Sequence, residues 1–166
     1  MTTSSHSIRR LAPSDQQLLW EMLYLSLHVP EGSAPFPREV VRRPELARYV
    51  RAWGRDGDVG FVAVEAGGGE PIGAAWLRLL KGDERGYGYV DDETPELGMA
   101  VRAEYRGRGV GSELLGRVLK SAAEVYRAVC LSVSADNPAV RLYARAGFER
   151  VRECEGSLTM LKRLRA

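Results

Sequence analysis

Arg106-Gly107-Arg108-Gly109-Val110-Gly111 is the stretch of this sequence that decides the fold. It lies between an apolar, strand-like run at 97–101 and a long amphipathic stretch at 112–129. A glycine-rich turn that opens a helix directs several unpaired backbone N–H groups, and the positive end of the helix dipole, at one point. Phosphate groups bind favourably at such a point. The sequence therefore predicts that this turn binds a phosphate-bearing cofactor.

The composition is that of one globular domain. The chain has 166 residues, of which 45% are hydrophobic, and a chain of this size buries roughly two thirds of its unfolded surface. The formal net charge is +2 and the 24 Lys and Arg residues are spread along the chain, so no nucleic-acid partner is expected. Cys130 and Cys154 fit neither a metal-ligand spacing nor a disulfide framework, which predicts a cytoplasmic protein without a structural metal.

The first residues of the sequence are polar. Residues 1–7 are polar and lack the apolar core of a signal peptide, so we expect a flexible tail there and a single domain at 8–166. No apolar window approaches the length of a membrane span, and no membrane partner is expected. We expect a monomer or a homodimer.

The spacing of apolar residues and the turn residues predict the element order α, α, β, β, β, α, β, α, β, β. The expected helices are a first one that starts at 13–15 and ends at 28–32, a second at 45–53, a third within 112–129 and a fourth at 138–146. The expected strands cover 59–65, 72–80, 96–101, 128–134, 148–154 and 158–164, and the polar segment 81–94 is expected to be a mobile connection. Because the early strands join through hairpins and the long helix forms a crossover, this order predicts an α+β fold or a three-layer α/β sandwich.

Two other glycine-rich phosphate sites fit the turn less well. A P-loop needs a Lys-Ser or Lys-Thr pair at its end, whereas Gly111-Ser112-Glu113 stands here. A dinucleotide-binding turn needs Gly-x-Gly-x-x-Gly after an early strand of a parallel sheet. Gly107, Gly109 and Gly111 alternate instead, and they follow a run of hairpin strands.

Two motifs resemble the GNAT superfamily of N-acetyltransferases. Arg106–Gly111 is similar to the Arg/Gln-x-x-Gly-x-Gly/Ala pattern that binds the coenzyme A pyrophosphate in that family. Asn137-Pro138-Ala139-Val140-Arg141-Leu142-Tyr143-Ala144-Arg145-Ala146-Gly147-Phe148 resembles the family's second motif, Asn-x-x-Ala/Ser-x-x-x-Tyr-x-x-x-Gly-Phe, with Val140 replacing the small residue. The motifs occur in the family's order, and the resemblance runs from about Val59 to the end. It implies a mainly antiparallel mixed sheet of six to seven strands flanked by about four helices.

The resemblance also implies a binding site for acetyl-CoA. Backbone N–H groups from Arg108 through Ser112 would bind the pyrophosphate, and the strand at 96–101 would pair with the pantetheine arm through its main chain. An N–H near Met99 or Ala100 would polarise the thioester carbonyl. The implied cofactor-binding residues are Met99, Ala100, Val101, Arg106, Gly107, Arg108, Gly109, Val110, Gly111, Ser112 and Asn137.

The same resemblance implies two catalytic residues, Tyr143 as the general acid near the sulfur and Glu96 as the general base, usually through water. An amine with a pKa of about 10 does not transfer its proton readily to a carboxylate of about 4, so a shifted pKa or a water relay is required. The alternatives are that Tyr143 only packs beneath the sheet, that Glu96 is a solvated carboxylate at a strand end, and that Asn137 serves only as a helix cap.

The predicted function is an N-acetyltransferase that moves the acetyl group of acetyl-CoA to a primary amine of a small molecule or peptide in a ternary complex. The alternative is a non-catalytic acyl-CoA-binding sensor or interaction module. Aromatic and acidic residues of the expected acceptor pocket suit a cationic amine, although an acidic run such as 91–93 is more often a solvated loop. These residues are Tyr24, Glu31, Phe36, Tyr87, Tyr89, Asp91, Asp92, Glu93 and Glu155.

Overall fold

A computed structural model describes residues 6–165 of the chain. Seven strands form one sheet: β1 (His6–Arg10), β2 (Val59–Glu65), β3 (Pro71–Arg78), β4 (Glu96–Val101), β5 (Ala128–Ser134), β6 (Glu149–Cys154) and β7 (Ser157–Arg163). The α-helices are α1 (Gln16–Ser26), α2 (Pro44–Ala47), α3 (Val110–Ala122) and α4 (Ala139–Arg145). Short 3-10 turns lie at Pro13–Asp15, Arg38–Arg42, Gly82–Glu84 and Ala103–Tyr105.

The sheet has the strand order β1-β2-β3-β4-β5-β7-β6. Its neighbouring strands pair antiparallel except for β4 and β5, which run parallel. The crossover from β4 to β5 contains α3, as a parallel connection requires. The predicted α+β fold, with a mainly antiparallel mixed sheet between layers of helices, is therefore confirmed.

Each face of the sheet has its own apolar core. On one face α3 buries Leu114, Leu115 and Val118 against the strands, and α4 adds Tyr143 to the same cluster. On the other face α1 buries Leu19, Met22 and Leu23, joined by residues of the segment after α2. The sheet is thus held in register from both sides, which fixes the edges of β4 and β5. No helix at 6–165 is long and apolar enough to cross a membrane.

The expectation of a flexible tail at 1–7 is wrong for its last two residues. His6 and Ser7 begin β1 and pair with Glu65 and Val64 of β2, while residues 1–5 lie outside the described residues. The added strand covers the outer edge of β2, whose backbone N–H and C=O groups need partners.

The second predicted helix, at 45–53, is shorter in the structure: α2 covers Pro44–Ala47, and turns continue the chain to Ala52. The Arg78 guanidinium donates hydrogen bonds to the carbonyl oxygens of Arg51 at 2.6 Å and Ala52 at 3.3 Å. Arg78 is 1% exposed and forms an ion pair with Asp58 at 2.7 Å. Ala52 takes a left-handed φ of 53°, which ends the helical path.

Candidate active site

The central strands of the sheet separate along most of their length. β4 and β5 share one register pair, Glu96↔Cys130, and the N–H of Cys130 donates to the carbonyl of Pro95 at 3.0 Å. No pairing between these strands continues past Glu96 in the described part of the chain. A wedge-shaped gap, called the β4–β5 gap below, therefore opens from Glu96 toward the carboxyl ends of both strands.

The edge of β4 that faces this gap carries unpaired main-chain groups. The N–H of Arg102 donates to the carbonyl of Ile72 on the β3 side at 2.8 Å. Because successive residues of a strand direct their N–H and C=O groups to opposite neighbours, Ala100 also faces β3, whereas Met99 and Val101 face the gap. Of the two predicted donors to a thioester carbonyl, the N–H of Met99 has the required direction and that of Ala100 does not.

The predicted phosphate-binding turn lies at the open end of the gap. Gly107 and Gly109 have φ values of 75° and 83°, which side chains other than hydrogen rarely tolerate. Among residues 6–165, the N–H groups of residues 107–112 donate a hydrogen bond to no other group of the protein. The first intrahelical bond of α3 starts later, from the N–H of Glu113 to the carbonyl of Gly109 at 3.0 Å. The turn therefore presents a row of free donors at a helix N-terminus.

The first turn of α3 brings the strands and helices of the site together. A Cβ added to Gly111 would lie 3.5 Å from Leu142 of α4, 3.7 Å from Val101 and 3.8 Å from Met99. Arg106 is exposed and its Nε donates to the carbonyl of Val101 at 3.1 Å. The predicted cofactor-binding residues of β4 and of the turn are thus one contiguous surface.

Asn137 lies in the turn between β5 and α4, two residues before the helix. Its Oδ1 accepts a hydrogen bond at 2.9 Å from the N–H of Ala139, the first residue of α4. The side-chain amide NH₂ of Asn137 donates to no protein group at 6–165. One side chain can therefore accept a hydrogen bond from the helix and still offer a donor to a ligand.

Tyr143 of α4 is buried, and its hydroxyl is free. The residue is 8% exposed, and its ring packs edge-on against Phe148 with centroids 5.9 Å apart. Its hydroxyl has no hydrogen-bond partner in the described chain. Burial raises the pKa of Tyr143 to about 12, so the phenol keeps its proton at neutral pH. This is the protonation state that a general acid requires.

Glu96 lies buried at the apex of the gap, so the alternative of a solvated strand-end carboxylate is wrong. It is 3% exposed, and Tyr49 donates a hydrogen bond to its Oε2 while the N–H of Gly88 donates to its Oε1 at 3.2 Å. Burial raises the pKa of Glu96 to about 7, and the hydrogen bonds from Tyr49 and Gly88 oppose that rise. A carboxyl group with this pKa is half ionised near neutrality and accepts protons better than an exposed one.

The segment at 81–94, expected as a mobile connection, is instead fixed over Glu96. A Cβ on Gly86 would lie 2.2 Å from Oε1 of Glu96, and one on Gly88 would lie 2.8 Å from the backbone of Leu131 in β5. Arg152 of β6 donates to the carbonyl of Tyr89 at 2.9 Å. Glycines are required here because the backbone approaches its neighbours too closely for a side chain.

Of the residues expected in an acceptor pocket, some form hydrogen bonds within the protein and others are exposed. Tyr89 donates to Asp92 at 2.6 Å, and Tyr24 donates to the carbonyl of Phe36 at 2.6 Å. The side chains of Tyr87 and Phe36 are 61% and 43% exposed.

Within 6–165 no group of His, Cys, Asp and Glu side chains could hold a metal ion.

Comparison with known proteins identifies the family. The model of the acetyltransferase (GNAT) family matches residues 20–148, which is most of the chain. A mycothiol acetyltransferase of Thermobispora bispora is 39% identical over 87 residues. That match covers 51% of this chain and 28% of the relative, so the chain spans less than a third of that protein's length. This chain belongs to the GNAT acetyltransferase family.

Solved structures agree with the fold. The GNAT domain of S. lividans PAT superposes with a TM-score of 0.67 at 22% identity, covering 94% of this chain and 89% of that one. The PaiA N-acetyltransferase of Thermoplasma acidophilum, solved in complex with coenzyme A, has a TM-score of 0.67 at 19% identity, covering 96% and 99%. A GCN5-related N-acetyltransferase of Kribbella flavida has a TM-score of 0.65 at 21% identity, covering 98% and 99%.

Proposed function

We propose that this protein is an acetyl-CoA-dependent N-acetyltransferase that moves an acetyl group to a primary amine of a small molecule or peptide. The observation that carries the proposal is the row of free N–H groups at 107–112, set at the open end of the β4–β5 gap. Anionic oxygens bind at such helix N-termini, where several N–H donors and the helix dipole act together. Two consecutive phosphates are the ligand group that this row fits.

The donor's remaining arm fits the gap. Main-chain donors of Met99 and Val101 line one side of the gap, and an amide-containing arm would pair with them as an added strand. Asn137 would bind the same arm from the other side through its free NH₂ group. The PaiA structure contains coenzyme A, and the curated relative is named for acetyl transfer; both support coenzyme A as the carrier.

The chemistry proposed is direct attack of the amine on the thioester carbonyl in a ternary complex. The C–N bond forms and the C–S bond breaks, while the amine loses one proton and the leaving thiolate gains one. Glu96 would accept the amine proton through water, because the carboxyl group is 3% exposed and has a raised pKa. Tyr143 would supply the proton to the sulfur, and the N–H of Met99 would stabilise the negative charge on the carbonyl oxygen.

The acceptor, the cellular compartment and the oligomeric state are also part of this proposed function. The exposed faces of Tyr87 and Phe36 suit a cationic amine. Cys130 and Cys154 are free thiols, which is consistent with a reducing cytoplasm. We propose a monomer or homodimer that works there.

The burial of Glu96 favours a second candidate, a module that binds acyl-CoA without catalysis. The segment around Gly86 and Gly88 covers the carboxyl group, and a covered base cannot act unless water or a movement of that segment connects it to the amine. Both candidates would bind the acyl donor, but only the enzyme would transfer its acetyl group.

Titration calorimetry with acetyl-CoA tests the binding step. Gly109→Ala strains a φ of 83° and so distorts the turn that carries the row of donors, and we expect affinity to fall at least about tenfold. Gly67→Ala is the matched control, because its φ of 81° lies in the β2–β3 hairpin and an added Cβ meets nothing within 4 Å. Equal affinities for the two variants would refute the turn as the phosphate site.

Turnover separates the two candidates. Wild-type protein is incubated with acetyl-CoA and a panel of primary amines, and free thiol is measured. Amine-dependent release of thiol supports the enzyme, whereas tight binding with no release for any amine of the panel supports the binding module.

A further inference from the structure

Tyr49 is a buried residue that belongs to neither sequence motif and yet contacts Glu96. It follows α2 in the chain, is 7% exposed, and donates a hydrogen bond to Oε2 of Glu96 across the sheet. Its hydroxyl oxygen also accepts a hydrogen bond from the N–H of Tyr87 at 2.9 Å. A tyrosine that only packs against apolar neighbours does not need two hydrogen-bond partners in the core.

The two hydrogen bonds fix the direction of the Tyr49 proton. Because the N–H of Tyr87 is a donor, the Tyr49 oxygen can only accept from it, and the one hydroxyl proton is left for Glu96. The carboxyl group is then held at both oxygens, by Tyr49 at Oε2 and by the N–H of Gly88 at Oε1. Rotation of the carboxyl group is prevented, so its remaining lone pairs keep one orientation.

Other titratable groups near Glu96 lie on β3, β5 and β6. Cys130 is its register partner on β5, and burial raises the pKa of that thiol, so it stays neutral. Arg78 is its partner on β3, but the guanidinium is bound to Asp58. Arg152 on β6 lowers the pKa of Glu96 by charge attraction, less strongly than Tyr49 does through its hydrogen bond. Tyr49 is therefore the side chain with the largest favourable effect on the ionised form.

We propose that Tyr49 is a positioning residue, which orients the Glu96 carboxyl group and stabilises its ionised form so that it can accept a proton from the acceptor amine. This inference rests on the proposed function, in which Glu96 is the base. It adds a residue that lies outside the two family motifs and comes from the segment after α2.

The variant Tyr49→Phe tests the proposal through the pH profile of kcat/KM. Without the hydroxyl, the acid limb should move up by about one pH unit, because a hydrogen bond to a charged group has an effect of that order. Relative to wild type, kcat/KM should fall about tenfold near pH 6.5 and recover to within about twofold near pH 9. A merely structural role would lower the rate at every pH and leave the limb in place, which would overturn the proposal.

Tyr126→Phe is the matched control, since Tyr126 is also buried and donates to the carbonyl of Gly57 at 2.7 Å, away from Glu96. It should leave the acid limb where it is. A shift of the same size in Tyr126→Phe would overturn the proposal, because the effect would then follow from the loss of any buried hydroxyl.

A second measurement, without turnover, distinguishes failure of this inference from failure of the proposed function. The loss of unfolding free energy with rising pH should become larger and extend to higher pH in Tyr49→Phe, and this change should vanish when Glu96→Gln is added. If the loss neither grows nor extends to higher pH, Tyr49 does not stabilise the ionised carboxyl group and the inference is refuted. If the unfolding measurement changes as expected while the acid limb of kcat/KM does not move, Glu96 is not the base. Both the catalytic role of Tyr49 and that step of the proposed function are then overturned.

If Tyr49→Phe does not fold, fluorotyrosine placed at position 49 alone, in the otherwise wild-type chain, is used in place of that variant. Fluorination makes the hydroxyl a stronger donor, so the midpoint of the Glu96 titration should move to lower pH. The same labelling in Glu96→Gln is the control. An unmoved midpoint in the labelled wild-type chain would refute the inference.

Discussion

Raising the pH should destabilise the folded protein through Glu96, and Glu96→Gln should remove that effect. The pKa of Glu96 is raised from 4.5 to about 7 because the carboxyl group is buried. The folded state therefore holds this proton more tightly than the unfolded state does. The associated stability is fully present below the unfolded pKa of 4.5 and is lost as the pH rises through about 7.

The size of the effect follows from the shift. A raise from 4.5 to about 7 corresponds to a loss of about 3 kcal/mol in the unfolding free energy. Most of this loss should fall between about pH 5 and about pH 8. Asp15 and Glu84 have lowered pKa values from hydrogen bonds to arginines, so they titrate in more acidic solution and leave this window undisturbed.

Urea unfolding at a series of pH values measures the effect. The difference in unfolding free energy between wild type and Glu96→Gln should change by about 3 kcal/mol from about pH 5 to about pH 9, with wild type losing stability relative to the variant. Glu70→Gln, at an exposed carboxylate in the β2–β3 hairpin, is the control and should give a constant difference. A constant difference for Glu96→Gln as well would refute a buried carboxyl group with a raised pKa.

Two further predictions concern other buried groups. Arg78→Leu should destabilise the fold by about 3–5 kcal/mol in urea unfolding, because it removes the buried guanidinium that forms the ion pair with the Asp58 carboxylate; a loss under about 1 kcal/mol would contradict this. Tyr143→Phe should lower kcat at least about tenfold while the affinity for acetyl-CoA in calorimetry is kept, because only the hydroxyl is removed. Unchanged kcat across the pH range would exclude Tyr143 as the acid.

Local patterns predicted the elements that line the gap. The expected strands at 96–101 and 128–134 have the same bounds as β4 and β5, because each is a short apolar run bounded by polar and turn residues. Asn137, Pro138 and Gly147 likewise mark the ends of α4 through turn chemistry that is local. Motif and element together predict where the proposed donor site lies.

Long-range contacts account for what the sequence did not predict. The segment His6–Arg10 contains one apolar residue, Ile8, and becomes a strand only because β2 offers an unpaired edge. Tyr49 lies 47 residues from Glu96 in the chain, and its place in an apolar helical pattern made it look like an ordinary core residue. The hydrogen bond from Arg78 to the carbonyl of Arg51 and the close packing of Gly86 against Glu96 also join residues that are distant in sequence.

The dimensions of β4 constrain the ligand that this site can use. The proposed base stands at Glu96, where β4 and β5 still pair, while the free N–H groups lie beyond Val101 at the other end of the same strand. At about 3.3 Å per residue, these ends of β4 are about 17 Å apart. A phosphate held at the turn cannot itself react near Glu96, so the donor needs an extended arm of about that length, and the unpaired edge of β4 gives such an arm main-chain partners along its course. Simple nucleotides lack this arm. The requirement for an anionic end, an extended middle and a reactive far end therefore favours an acyl carrier over the other phosphate ligands of glycine-rich turns.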